Sequence, residues 1–192
     1  MRMFVAAIPP PEVVEDLEEF LSVRREAESL RWTLPDQWHL TLAFLADVPD
    51  RAYDDLVARL ERAARKRHPM TATIAGGGAF PHPGRAKVLW AGVEVDDPVE
   101  LSRLATGCRA AASKAGIEVP GEKFKAHLTL ARMRHPIEAT RWLRVLDAYR
   151  GPAYALDEVA LVASHLGEGP RRRPRYEVHE TFRLIGKSAL PD

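Results

Sequence analysis

Five residues of this chain occur twice. His39-Leu40-Thr41-Leu42-Ala43 returns as His127-Leu128-Thr129-Leu130-Ala131, an offset of 127 − 39 = 88 positions. A short repeat constrains the fold only if its surroundings keep the same period. Here they do, element by element. Met3–Ile8 and Val88–Val95 both read as strands. A helix follows each. One starts near Pro11 with Val14, Leu17, Phe20 and Leu21 on a stripe; the other starts near Val99 with Leu101, Leu104, Ala105, Cys108 and Ala112. Gly116 suits the end of the second helix. The motif strands, 38–45 and 124–132, come next. A further helix follows each. The first carries Tyr53, Leu56, Val57, Leu60 and Ala64 behind a cap at Asp50; the second carries Trp142, Leu143 and Leu146 between Glu138 and Gly151. Strands at Thr71–Ala75 and Val159–Ala163 close the two halves, and a last strand covers Arg175–Leu184. The fold class is α+β: two pseudo-symmetric lobes, with the cleft between them as the natural site.

Alternate side chains of a strand share a face. Trp38, Leu40, Leu42 and Phe44 then point one way, and His39, Thr41 and Ala43 the other. Phe124, Ala126, Leu128 and Leu130 oppose Lys125, His127, Thr129 and Ala131 in the same manner. The apolar faces are core. Each polar face offers an imidazole and, two residues on, a hydroxyl. Such a pair on each lobe, aimed at one point, suits a phosphodiester. One histidine activates water and the other protonates the departing ribose oxygen, since imidazole titrates near neutrality. The threonine hydroxyls donate hydrogen bonds to non-bridging oxygens.

The bulk properties exclude several alternatives. Net charge is only +1, from 28 basic and 27 acidic residues, so any contact with nucleic acid should be local. A single cysteine, Cys108, allows no disulfide within the chain, and its place on a helix stripe marks it as core. No apolar run approaches the roughly 20 residues that span a bilayer, and the N-terminal strand is too short for a signal peptide. The expectation is a cytoplasmic monomer with no membrane and no obligate protein partner. His68, His82, His135, His165 and His179 are scattered without ligand spacing, so neither metal nor cofactor is expected. Gly76–Arg85 reads as irregular; its glycine run lacks the Gly-Lys-Ser/Thr ending of a phosphate loop. The run Arg171-Arg172-Arg173-Pro174-Arg175 suits either RNA phosphates or a solvated turn, and Lys123 and Lys125 carry the same ambiguity. Phe4, Trp32 and Tyr176 suit either base stacking or core packing.

Paired His-x-Thr-x motifs at this separation resemble the two-histidine phosphoesterase superfamily. Within it the chain is similar to the bacterial and archaeal RNA 2′,3′-cyclic phosphodiesterases, also called 2′-5′ RNA ligases. The resemblance runs through Met3-Phe4-Val5-Ala6, Leu30-Arg31-Trp32, Trp38 to Leu45, Val88 to Val93, Phe124 to Arg132, and Val159 to Ser164. Ala126 stands where a proline is common, and His165 is unusual after Ser164. The resemblance implies two antiparallel sheets lining a central cleft, with helices outside. It implies His39 as proton donor to O3′, His127 as proton acceptor from water, and Thr41 and Thr129 as phosphate ligands. The product would be a 2′-phosphate on an RNA 3′ end, with 2′-5′ ligation as the reverse reaction.

Arg132 suits a phosphate through two-pronged contacts, but odd spacing from His127 turns it to the opposite face unless the strand bulges near Ala131. Two other functions fit the same residues: a phosphodiesterase for another small cyclic or 2′-5′-linked nucleotide, such as ADP-ribose 1″,2″-cyclic phosphate, and a non-catalytic nucleotide- or RNA-binding module. Binding alone does not need a matched acid and base.

Overall fold

The computed structural model describes residues 1–26 and 30–188; the rest of the expected 1–192 unit lies outside the described residues. In chain order the elements are β1 (Met3–Ala7), α1 (Pro11–Arg25), β2 (Arg31–Trp32), β3 (Leu40–Leu45), α2 (Asp50–Arg65), β4 (Met70–Phe80) and β5 (Ala86–Val95). Then come α3 (Pro98–Lys114), β6 (His127–Ile137), α4 (Thr140–Asp147), β7 (Tyr154–Leu156), β8 (Glu158–His165) and β9 (Arg175–Arg183). The repeated order of strand, helix, motif strand, helix and strand is therefore present.

Local chemistry accounts for the helix ends. Pro11 opens α1 with its φ already helical. Asp97 accepts a hydrogen bond from the Glu100 amide and caps α3, and Gly116 beyond its end holds φ +83°. Asp50 is not a cap. Pro49 occupies that position and Asp50 is the first helical residue, where its charge still favours the positive end of the helix dipole. The buried stripes are rotated slightly from expectation. Val13 rather than Val14 is fully buried in α1, and Ala52 rather than Tyr53 in α2.

The strands run β7-β4-β5-β6-β3-β1-β8-β9, all neighbours antiparallel, with β2 also on β6. Between β6 and β3 the register is a single pair, Leu40 with Leu128. The sheet is thus two half-sheets, β7-β4-β5-β6 and β3-β1-β8-β9, meeting where the two motifs begin. Both leucines are buried, and truncating either to alanine should cost about 2–5 kcal/mol.

The half-sheets do not coincide with the halves of the sequence. β4 ends the first repeat but pairs with β5 of the second, across the short 81–85 connection; β8 ends the second repeat but pairs with β1. For β4, hairpin closure onto the next strand outweighs membership of a repeat.

β4 also corrects a reading of the sequence. It runs through Gly76-Gly77-Gly78 to Phe80, inside the stretch expected to be irregular. A Cβ on Gly77 would collide with Leu146, and one on Gly78 with the Trp90 ring. The glycines let α4 and an indole lie flat on the strand.

Candidate active site

A register shift sits at the same place in both motif strands. Val5 pairs with Ala43 and Ala6 with Thr41, so Leu42 is the extra residue; Leu89 pairs with Ala131 and Trp90 with Thr129, so Leu130 is. Each shift is a β-bulge that reverses the alternation beyond it. Ala43 and Ala131, expected beside the histidines, are consequently buried in the core. Phe44 and Arg132, five residues after each histidine, turn toward the cleft instead. Thr33 donates its amide hydrogen to the carbonyl of bulged Leu130 at 2.8 Å, so that kink leaves no orphan acceptor.

The result is one cleft lined by His39, Thr41, His127, Thr129 and Arg132, all five residues singled out from sequence. Arg2, Gln37, Ser164 and Tyr176 line it too, and sequence reasoning did not place the first three there. The guanidinium of Arg2 lies over the Phe44 ring, 4.4 Å from its centroid. A cation thus stands near the position equivalent to Arg132, carried by the residue just before β1.

Both imidazoles are held alike. The Nδ1–H of His39 donates to the Gln37 carbonyl at 2.8 Å, and that of His127 to the Lys125 carbonyl at 2.7 Å. A carbonyl only accepts, so Nδ1 carries the proton in the neutral ring and Nε2 is left as the free base. Their surroundings differ. Phe4 stacks on His39 at 4.4 Å between centroids, and Tyr176 meets it edge-on at 5.5 Å. Phe80 meets His127 at 90° and 5.0 Å, with Trp90 at 5.9 Å and Lys125 over the indole.

Burial pushes the His39 pKa down to about 4. The Gln37 carbonyl opposes this, and the charges of His127 and Arg132 add to it. His127 is lowered as well, chiefly by burial, with Arg132 and Lys125 contributing and the Lys125 carbonyl opposing. Both rings are therefore neutral near pH 7.

The arginine-rich turn divides into parts. Arg173 donates to the Trp32 carbonyl at 2.9 and 3.1 Å, and the Gln37 side chain donates to the Pro174 carbonyl at 2.6 Å. The turn straps β2 and the segment that holds His39. Arg175 pairs with Glu168 and Glu177. Arg171 and Arg172 are exposed on left-handed backbone, at φ 52° and 59°. Of the aromatics weighed for base stacking, Phe4 is packed against His39, Trp32 meets Trp142 edge-on at 5.1 Å, and Tyr176 reaches the cleft.

Burial pushes the Cys108 thiol up to about 12, as expected of a core residue. Among the described residues, the scattered histidines hide one cluster. His68 Nε2 lies 3.2 Å from Asp97, and Glu100 accepts the His68 amide at 3.0 Å. These groups lie close enough to chelate an ion. They already satisfy one another and Arg67, however, and His68 Nδ1–H is spent on the Pro69 carbonyl. That hydrogen bond and the carboxylates raise the His68 pKa, which makes the group an ion-paired brace at the start of α3.

Residues 8–90 and 93–171 match the family described as LigT like Phosphoesterase, one motif in each stretch. The RNA 2′,3′-cyclic phosphodiesterase of Thermus thermophilus is 34% identical over 97% of this chain and 92% of its own length. That of Escherichia coli is 28% identical, over 89% and 91%. Among solved structures, TT0787 of Thermus thermophilus superimposes with a TM-score of 0.79 at 33% identity, covering 98% of this chain and all of its own. E. coli LigT complexed with 3′-AMP superimposes with 0.75 at 27%, covering 95% and 97%. Agreement over nearly the whole length, with a motif in each matched stretch, places the chain in the LigT-like phosphoesterase family.

Proposed function

We propose that this protein hydrolyses 2′,3′-cyclic phosphates at RNA 3′ ends to 2′-phosphomonoesters, with the whole two-lobed chain working as one unit. The observation that carries the reading is the pair of imidazoles, each locked through Nδ1 with Nε2 free, lining one cleft with two threonine hydroxyls and Arg132. Relatives named as RNA 2′,3′-cyclic phosphodiesterases support the substrate class.

The proposed step begins with His39 protonated and His127 neutral. His127 Nε2 takes a proton from water as the water oxygen bonds to phosphorus. The bond from phosphorus to O3′ breaks, and His39 gives its proton to O3′. One water is consumed, the proton passes in effect from His39 to His127, and the two rings re-equilibrate with solvent. Thr41, Thr129 and Arg132 hold the non-bridging oxygens, where charge grows in the transition state. Desolvation favours this division of labour: a strongly depressed imidazolium is a strong acid once the anionic substrate has drawn a proton onto it. The chemistry is complete without a metal. Ligation through a 2′-5′ bond is the same step reversed, with a ribose hydroxyl in place of water.

The test is a short RNA ending in 2′,3′-cyclic phosphate, incubated with the protein in EDTA and analysed for the isomer formed. A 2′-phosphate from the unmutated protein, formed at least about 10²-fold more slowly by His39→Ala or His127→Ala, is the expected result. A 3′-phosphate, or turnover by either variant at the parent rate, rejects the assignment.

A further inference from the structure

A net charge of +1 conceals an uneven distribution. Between α2 and α3, outside the cleft, lies a groove whose lining, among the described residues, contains six cationic side chains and no carboxylate. Ala63, Gly107, Ala110 and Ala111 form its floor; a Cβ on Gly107 would meet only Ala63, at 3.8 Å. With no side chain longer than a methyl group there, the floor is shallow and open down to the helix backbones. Two of the six cations are paired: Asp55 on α2 holds Arg59 at 2.8 Å, and Glu100 on α3 holds Arg67 at 3.4 Å. Among the described residues, Arg62, Lys66, Arg103 and Lys114 have no carboxylate partner, and all four are exposed on the groove. Ser102 and Thr106 add hydroxyl donors.

Four uncompensated cations along one groove repel one another, and a surface built only for solubility would intersperse the two signs. The arrangement suits a chain of phosphates. Arginines fork onto phosphate oxygens, lysines supply point charge, and no aromatic side chain lines the groove to select a base. A second cationic surface adjoins the cleft and meets α3, whose other side lines the groove. A neighbouring cavity shares Thr41, Phe44 and His127 with the cleft, carries Lys123 and Lys125, and reaches α3 at Arg109. Arg109 donates to the Pro120 and Glu122 carbonyls at 2.6 and 3.0 Å, which fixes that loop against the helix.

Building on the function proposed above, we infer that the α2–α3 groove is a second RNA site, which holds the backbone of the substrate strand while its cyclic end occupies the cleft. Recognition there is by charge, without preference for sequence. Short substrates never reach the groove, so its contribution appears only as the RNA lengthens.

The experiment compares the full chain with a variant carrying Arg62→Glu, Lys66→Glu and Arg103→Glu, and with Lys66→Gln/Arg103→Gln as the gentler pair. Each is first shown to melt like the parent. Substrates are a 2′,3′-cyclic mononucleotide and an oligonucleotide of about 15 residues with the same end. The expected outcome is an unchanged kcat/KM on the mononucleotide. On the long RNA, KM should rise at least about tenfold, with a salt dependence flatter by roughly two logarithmic units per decade, as three lost phosphate contacts predict. Equal KM for the long RNA in parent and variants overturns the inference. Should the parent turn over neither substrate, the proposed function fails while the groove is still tested, by fluorescence anisotropy of the same RNA with a plain 3′ hydroxyl. Charge-dependent binding to phosphatidylglycerol vesicles, without any effect of the variants on RNA, would assign the groove to a membrane surface and overturn it equally.

Discussion

The two motif regions share a backbone and differ in what surrounds it. Both have a bulge at the leucine after threonine, and both lock a histidine through the carbonyl two residues earlier. His39, however, is stacked between aromatics and strapped from behind through Gln37, whereas the bond that holds His127 lies at the exposed surface. Beyond the bulge, one strand turns a phenylalanine to the cleft and the other an arginine. Symmetry builds the frame, and in the proposed mechanism the departures from it divide the acid from the base.

The largest expected effects test whether both halves are needed. His39→Ala and His127→Ala should each lower kcat by about 10²–10⁴-fold, with the double variant little worse, because the pair acts as a unit. A thousandfold disparity between the two would break the comparison. Next, Thr41→Ala and Thr129→Ala should each cost about 10²-fold in kcat, as donors to a developing oxyanion do. Unequal losses would show which lobe carries the phosphate.

The pH profile sharpens the division of roles. The acid must keep its proton and the base must have lost its own. With His39 near 4 and His127 lowered below the ordinary imidazole value, the base is mostly available from pH 7 upward. Only the protonated fraction of His39 then changes, falling about tenfold per pH unit. On a cyclic mononucleotide, kcat/KM should therefore decline steadily from pH 7 to pH 9. A maximum at pH 8 would place the acid elsewhere. The smallest effect concerns the strap: Gln37→Ala should reduce kcat by about three- to tenfold and leave KM unchanged, through looser placement of His39. An unchanged kcat would reduce the strap to a structural tie.

Much of this was legible in the sequence because it is local. Apolar spacing places the helices, alternation places the strands, and the repeated pentapeptide brings two histidines and two threonines to one cleft. The bulges were harder. Strict alternation puts Ala43 and Ala131 beside the histidines, and only the doubled apolar steps Leu42-Ala43 and Leu130-Ala131, each followed by a residue turned outward, hint at the reversal. What depends on distant partners was not legible. Gly77 and Gly78 read as irregular chain until Leu146 and Trp90 are seen lying on them. His68 lies 29 and 32 residues before Asp97 and Glu100 and meets them only through folding. Arg2 reaches the cleft because β1 lies beside β3.

The exchanged strands carry one more consequence. Because β4 and β8 each complete the half-sheet begun by the other repeat, cutting the chain near residue 82 would leave two fragments with open sheet edges, neither able to close alone. Mixed together, they have every reason to find each other. A chain of half this length could present the same pair of histidines only as a twofold dimer in which each copy lends its final strand to its neighbour.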